Sequence, residues 1–252
     1  MIIENNAGKR QRSTRPPTRT IIHLMASGPF DAVFIDFYGT ISAGDRDAVL
    51  AACRRVVTTF ELPFTADELA VRWGESFFGI VDRSNHDEFR SLYECETASL
   101  RETLSPFVGP FDPRPFVEEL EAYWRDPPIH DDVLHLLEKM HVPICCVSNA
   151  DCAPLQAAIA RHGLRFDAVM CSEESRCYKP EPHIFRKAAA KLGVDPTRAI
   201  HVGDSLHSDI SGASRLGITT AWLRREERIH DIGTAPPDHT ITSLTELLVL
   251  IT

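Results

Sequence analysis

Four short stretches carry side chains that together can act on a phosphate ester. Asp36 follows the compact apolar run Ala32 to Ile35, and Gly39 and Thr40 stand three and four residues after it. Ser148 and Asn149 close a second apolar run, Val142 to Val147. Lys179 stands just before a helix-prone segment, and Asp204 and Asp209 follow the run Ala199 to Val202. Two carboxylates, Asp36 and Asp204, can hold Mg²⁺ through hard oxygen ligands. The ion offsets the repulsion between Asp36 and an anionic phosphate, which lets Asp36 attack phosphorus and form an aspartyl-phosphate. Ser148, the amides of the helix start after it and Lys179 can hold the phosphoryl oxygens.

That chemistry requires elements that bring the four stretches together. From residue 129 onward, apolar runs alternate with helical patterns: Val142 to Val147, Ala168 to Cys171, Ala199 to Val202 and Thr219 to Leu223 read as strands. Asp151 is placed to cap a helix that runs to Arg161, and Gly163, Gly193 and Gly217 stop the intervening helices. The alternation predicts an α/β fold with a parallel, doubly wound sheet, whose strand ends converge on one crevice. The tail from Pro236 reads as a last strand or turn and a short apolar helix. Between the first strand and this alternating part lies a helical stretch. One helix spans Asp45 to Phe60, and a capping-box pattern from Thr65 to Glu68 opens a second through Trp73 to Phe77 and Phe78, punctuated by Gly79. A third is expected from about His86 to Leu104, and a fourth opens at Pro113 and Pro115 and is closed by Pro127 and Pro128. Inserted after the strand that ends at Asp36, these helices are placed to act as a lid. Trp73, Phe77, Phe78 and Tyr93 read first as core of this bundle and second as pocket lining. Arg72, Arg83 and His86 read as solvated residues, with contact to an anionic substrate as the alternative.

Composition narrows the class. The chain has 252 residues, 43% hydrophobic and 25% charged, an ordinary globular balance. No apolar run approaches the roughly 18 residues of a membrane span. The formal charge is -9, yet residues 1 to 24 carry a net +4, so the remainder is -13. An acidic body argues against nucleic acid as a partner. Seven cysteines with no CxxC pair read as reduced core thiols, and the expected location is the cytoplasm. The basic N-terminal segment has no apolar signal core, and Met25 is a candidate natural start. The expected partner is a small anionic molecule, and oligomeric state stays open.

Taken together, the four motifs resemble the haloacid dehalogenase superfamily over about residues 30 to 225. They are Asp36-Phe37-Tyr38-Gly39-Thr40, Ser148-Asn149, Lys179-Pro180 and Gly203-Asp204-Ser205-Leu206-His207-Ser208-Asp209. The resemblance implies a Rossmann-like core (29–44 and 129–252), a helical cap (45–128) and a basic arm (1–28). It implies Asp36 as nucleophile supported by Thr40, Ser148, Asn149 and Lys179. Asp36, Asp204 and the backbone carbonyl of Tyr38 would be metal ligands, and Asp209 would orient Lys179 or the metal's waters.

Tyr38 departs from the phosphatases of this superfamily, which carry an acid/base Asp there. A phenol with pKa ~10 is a poor general base at neutral pH. The first motif is similar to that of the L-2-haloacid dehalogenases, which need no metal; the fourth, with Asp204, is similar to that of the Mg²⁺-dependent phosphatases. A dehalogenase would also need a cap arginine to receive halide, for which Arg72 is a candidate. Three readings follow: a Mg²⁺-dependent phosphatase first, a 2-haloacid dehalogenase second, and a slow or non-catalytic binding relative third. A phosphonoacetaldehyde hydrolase would need a cap lysine, and residues 45 to 128 hold none. A mutase would need the missing Asp. His207 reads as a surface residue and His201 as structural.

Overall fold

The computed structural model describes residues 28–225 and 235–252. The basic arm before Gly28 and the candidate start at Met25 lie outside the described residues. In chain order the elements are β1 (Ala32–Ile35), α1 (Asp45–Phe60), α2 (Ala66–Val81), α3 (Leu92–Leu104), α4 (Arg114–Arg125) and α5 (Asp132–Lys139). They continue with β2 (Ile144–Ser148), α6 (Cys152–Arg161), β3 (Ala168–Cys171), α7 (Ser172–Ser175) and α8 (Pro182–Leu192). The last are β4 (Ala199–Gly203), α9 (Ser211–Ser214), β5 (Thr219–Leu223), β6 (His239–Ile241) and α10 (Leu247–Leu250).

The six strands form one parallel sheet in the order β3-β2-β1-β4-β5-β6. Strands β1, β2 and β4 are buried throughout, which is why they read as continuous apolar runs. Successive residues serve opposite faces. Val33, Ile35, Cys146 and Val202 pack into one core, and Ala32, Phe34, Cys145 and Val147 into the other. Strand β1 lies between β2 and β4, where the order of the strands reverses, and the crevice beyond such a switch point is where open α/β sheets bind ligands. Ile35 pairs with Cys146 on one side and Val202 on the other. Asp36 therefore emerges level with Gly203, and Asp204 follows directly beside it.

Helices α1 to α4 surround a separate apolar cluster that includes Leu69, Trp73, Leu100, Val117 and Leu120. The chain leaves the sheet and returns through paired linkers. Ser42 bridges Ile129 in antiparallel fashion, and the Ala43 amide donates to the Pro128 carbonyl (2.9 Å). Gly44, at φ 82°, makes the turn into α1. Tyr178 crosses from the sheet side into the helical cluster, where its hydroxyl donates to the Arg90 carbonyl (2.7 Å) and its ring stacks on Phe89.

Several boundaries differ from the sequence reading. Helix α2 runs through Gly79 to Val81, because the ~1 kcal/mol cost of one glycine is outweighed by burial of Ile80 and Val81. The third helix begins at Leu92, where Ser91 and Glu94 form a capping box; His86–Glu88 is a separate short turn with His86 at φ 57°. Helix α5 went unread, since eight residues with only Val133 and Leu136 buried give too little period. Asp151 does not cap its own helix. Its carboxylate accepts from the Leu92 (2.7 Å) and Tyr93 (3.0 Å) amides and so caps α3 from across the chain. The cysteines are not all thiols: Cys152 and Cys171 are joined as a disulfide, with Cα atoms 6.0 Å apart, and the other five are free and buried.

Candidate active site

Asp36 is buried at the end of β1, where one of its oxygens accepts from two donors: the Ser148 hydroxyl at 3.0 Å and the Lys179 ammonium at 2.5 Å. The Lys179 ammonium also donates to Asp209 at 2.6 Å, so one buried cation bridges two buried carboxylates. Asn149 does not point at this group. Its side chain accepts from the Lys179 amide (2.7 Å) and donates to the Lys179 carbonyl (3.0 Å), clamping the lysine backbone on both sides. Asp209 has both oxygens engaged. One takes Lys179 and the His201 ring Nε2 (2.9 Å), and the other takes the Ser205 amide (3.1 Å). An ionised carboxylate only accepts, so His201 carries its proton on Nε2.

These contacts set the ionisation of the group. Burial raises the Asp36 pKa, with Lys179 pulling against it and the Asp209 charge adding to it. Burial also acts on Asp209, but Lys179 and His201 more than offset it and hold the carboxyl below the usual range. For Lys179, burial favours the neutral amine, while Asp209 and Asp36 outweigh it and keep the ammonium charged.

Asp204 lies at the mouth. Thr40 donates to it at 3.3 Å, linking the first motif to the fourth. The Trp222 indole donates to the Asp204 carbonyl (3.0 Å). Two glycines make these close approaches feasible. A Cβ on Gly39, at φ +87°, would lie 2.6 Å from an Asp204 oxygen, and one on Gly203 would lie 2.2 Å from the Asp209 carboxyl carbon. Carboxylate oxygens of Asp36, Asp204 and Asp209 all lie within 4.8 Å of one another. This donor set is hard oxygen throughout and fits Mg²⁺.

Tyr38 follows as a neutral phenol. Its hydroxyl donates to the Trp124 carbonyl (2.8 Å) at the end of α4, and burial raises its pKa further. It cannot serve as a base, and it ties the loop after Asp36 to the helical segment. Tyr123 does the same one residue earlier in α4, donating to the Ala43 carbonyl (3.0 Å).

A cavity of about 680 Å³ opens between the strand ends and the helices. Asp36, Tyr38, Ser148, Lys179 and Asp204 line one side, and Trp73, Phe77, Phe78 and Tyr123 the other. Tyr93, Arg72, Arg83 and His86 do not line it; the Arg72 guanidinium lies over the Phe64 ring at 5.0 Å. His207 does reach the cavity, with Nε2 3.9 Å from Asp82. Sequence reasoning missed two contributors, Glu96 and Arg46, which line the cavity from helices with no motif. His201, read as structural, backs Asp209 from the strand before it. The i, i+8 spacing of His201 and Asp209 was the one signal available in the sequence.

Residues 30–217 match the haloacid dehalogenase-like hydrolases. The chain belongs to that family. Among its relatives, the N-acylneuraminate-9-phosphatase of Mus musculus is 24% identical over 237 residues, 87% of this chain and 93% of that protein. The (S)-2-haloacid dehalogenase of Pseudomonas sp. (strain YL) is 24% identical over 223 residues, 86% of this chain and 93% of that one. The fold is shared with the L-2-haloacid dehalogenase from Xanthobacter autotrophicus, at a TM-score of 0.71 and 22% identity over 88% of this chain and 98% of that one. This hydrolase is therefore similar at comparable distance to a phosphatase and to a dehalogenase. No helix among the described residues is long and apolar enough to cross a membrane.

Proposed function

We propose that this hydrolase is a Mg²⁺-dependent phosphatase of small phosphomonoesters, with Asp36 as nucleophile. The observation that carries the reading is that one oxygen from each of three carboxylates lies within 4.8 Å of the others, two of the three being bridged by the Lys179 ammonium. A 2-haloacid would bring a further carboxylate to this surplus of negative charge, whereas a divalent cation relieves it. Asp36, Asp204 and the backbone carbonyl of Tyr38 would hold the ion; Asp209, with both oxygens already engaged, positions Lys179 instead. Bound there, Mg²⁺ would supply charge neutralisation for the anionic substrate.

The protein groups have separable tasks. An Asp36 oxygen attacks phosphorus as the ester oxygen departs, leaving an acyl-phosphate that water then cleaves. Lys179 has three N–H bonds, of which two are spent on Asp36 and Asp209, and the third is free to hold a phosphoryl oxygen. Ser148 gives its one O–H to Asp36 and so holds the attacking carboxylate in place. Asn149 fixes the lysine backbone, and helices α1 to α4 cover the crevice as a cap that excludes water. Tyr38 offers the departing oxygen no acid, so esters with good leaving groups react fastest.

The test is phosphate release from a panel of alkyl and aryl phosphomonoesters with Mg²⁺ and with EDTA. Release that needs Mg²⁺, disappears in Asp36→Asn and favours aryl esters supports the reading. Tyr38 in the first motif favours dehalogenation as the second reading. Halide release from 2-chloropropionate in EDTA, without phosphate release, would establish it, and silence in both assays would leave a binding role.

A further inference from the structure

The cavity has two chemically different ends. Its sheet side carries Lys179 and the residues proposed to take the phosphoryl group. Among the described residues its helical side carries Asp45, Asp67, Glu75, Asp82 and Glu96, with Arg46 as the cation on that side. Arg46 is itself spent, lying 3.7 Å from Asp67 at the exposed rim. Asp67, Glu75 and Asp82 are solvent-exposed, as acidic rim residues commonly are.

Glu96 differs from them. It sits part-way along α3, partly buried, and its carboxyl makes no hydrogen bond or ion pair among the described residues. Burial, with the Asp45 charge adding to it, pushes the carboxyl up to about 8. A partnerless carboxyl facing an enclosed cavity costs free energy that an apolar residue there would not. The same wall holds Trp73, Phe77, Tyr123 and Trp124, whose ring faces attract cations. A positive group in the cavity would meet this carboxyl and those rings together and would return the carboxyl to its charged form.

We propose that the substrate's non-reacting end carries an ammonium group and that Glu96 selects for it, so that the substrate class is an amine-bearing phosphomonoester. The proposal rests on the phosphatase reading only for the reacting end of the molecule. It also separates this chain from substrates whose non-reacting end is anionic, which would place like charge against the acidic wall.

Two aryl phosphates whose phenol leaving groups are of similar acidity test it, one with a para aminoethyl arm and one with a para propyl arm. The wild type is expected to favour the amine by about 10- to 100-fold in kcat/KM, the worth of a hydrogen bond to a charged group. In Glu96→Gln that ratio falls toward one through the KM of the amine ester, with the thermal midpoint reporting that the fold is intact. A ratio near one in the wild type, or an unchanged ratio in Glu96→Gln, overturns the proposal. Calorimetric titration of both esters into Asp36→Asn reads the preference without turnover. If neither ester is hydrolysed but the amine ester binds tighter, and Glu96→Gln erases the difference, the phosphatase reading fails and the Glu96 assignment stands. If both are hydrolysed without preference, the reverse holds. Binding of neither ester overturns the Glu96 assignment.

Discussion

Replacing Lys179 with methionine isolates what the bridging cation does. The ammonium is 2% exposed and lies 2.5 Å from Asp36 and 2.6 Å from Asp209, whose side chains are 7% and 1% exposed. Methionine keeps most of the volume and removes the charge, which leaves two buried carboxylates without their partner. Breaking a buried pair on one side costs about 3–5 kcal/mol. For a chain of this size that corresponds to a thermal midpoint lower by about 6–20 °C at pH 7. The effect has a sign in pH. In the wild type Asp209 titrates below its unfolded value, so its stabilisation is present above the unfolded pKa of ~3.9 and is lost only as pH falls through the lower folded value. Without Lys179 the opposing influence of burial prevails on Asp209 and acts more strongly on Asp36, so both carboxyls take up protons more readily as pH falls. The gap between wild type and variant therefore narrows from pH 7 toward pH 4. Millimolar Mg²⁺ should recover part of the loss at pH 7, because it brings a cation back beside Asp36. Differential scanning calorimetry across pH, with and without Mg²⁺, reads all three effects. A midpoint within 2 °C of wild type at pH 7 would refute the reasoning, as would a gap that widens on acidification.

Three further outcomes are expected. Asp204→Asn should lower Mg²⁺ affinity and phosphate release by about 10²-fold or more while leaving the thermal midpoint nearly unchanged in EDTA, read by metal titration of activity. Tyr38→Asp gives up the bond to the Trp124 carbonyl, worth about 1 kcal/mol, and places an acid/base group beside the nucleophile. It should raise turnover of alkyl esters relative to aryl esters by about 10²-fold or more, seen in the ratio of the two rates. Asp151→Ala removes the acceptor for the Leu92 and Tyr93 amides and should cost about 0.5–2 kcal/mol, with hydrogen exchange rising in the first turn of α3 before the rest of that helix.

The sequence made the sheet and the motif residues legible because both are local. Each strand is a short apolar run, and each polar residue of interest stands at the end of one or shortly beyond it. Asp36, Ser148, Lys179 and Asp209 accordingly meet in space. What the sequence hid depends on contacts between distant segments. Asp151 has the local signature of a helix cap, yet its two bonds go to amides 59 and 58 residues away. Asn149 stands in the second motif as a support for Asp36, and only the fold shows it clamping the backbone of Lys179. Thr40 is four residues from Asp36 and turns to Asp204, because Gly39 allows the fourth motif to press against that loop. Glu96 belongs to no motif. Its partial burial and its lack of a partner among the described residues appear only when α3 is packed against α2 and α4. Cys171 ends β3 and Cys152 opens α6 shortly after β2, and nothing in their spacing marks them as a pair.

The most direct test of the account is to trap the covalent enzyme. The protein is mixed with an activated aryl phosphate and Mg²⁺, quenched in acid within the first turnover, digested and examined by mass spectrometry. The account predicts a phosphoryl adduct on the peptide that contains Asp36, absent in EDTA and absent in Asp36→Asn. Phosphate release with no adduct on Asp36, or an Asp36 ester formed from 2-chloropropionate without metal, would contradict it.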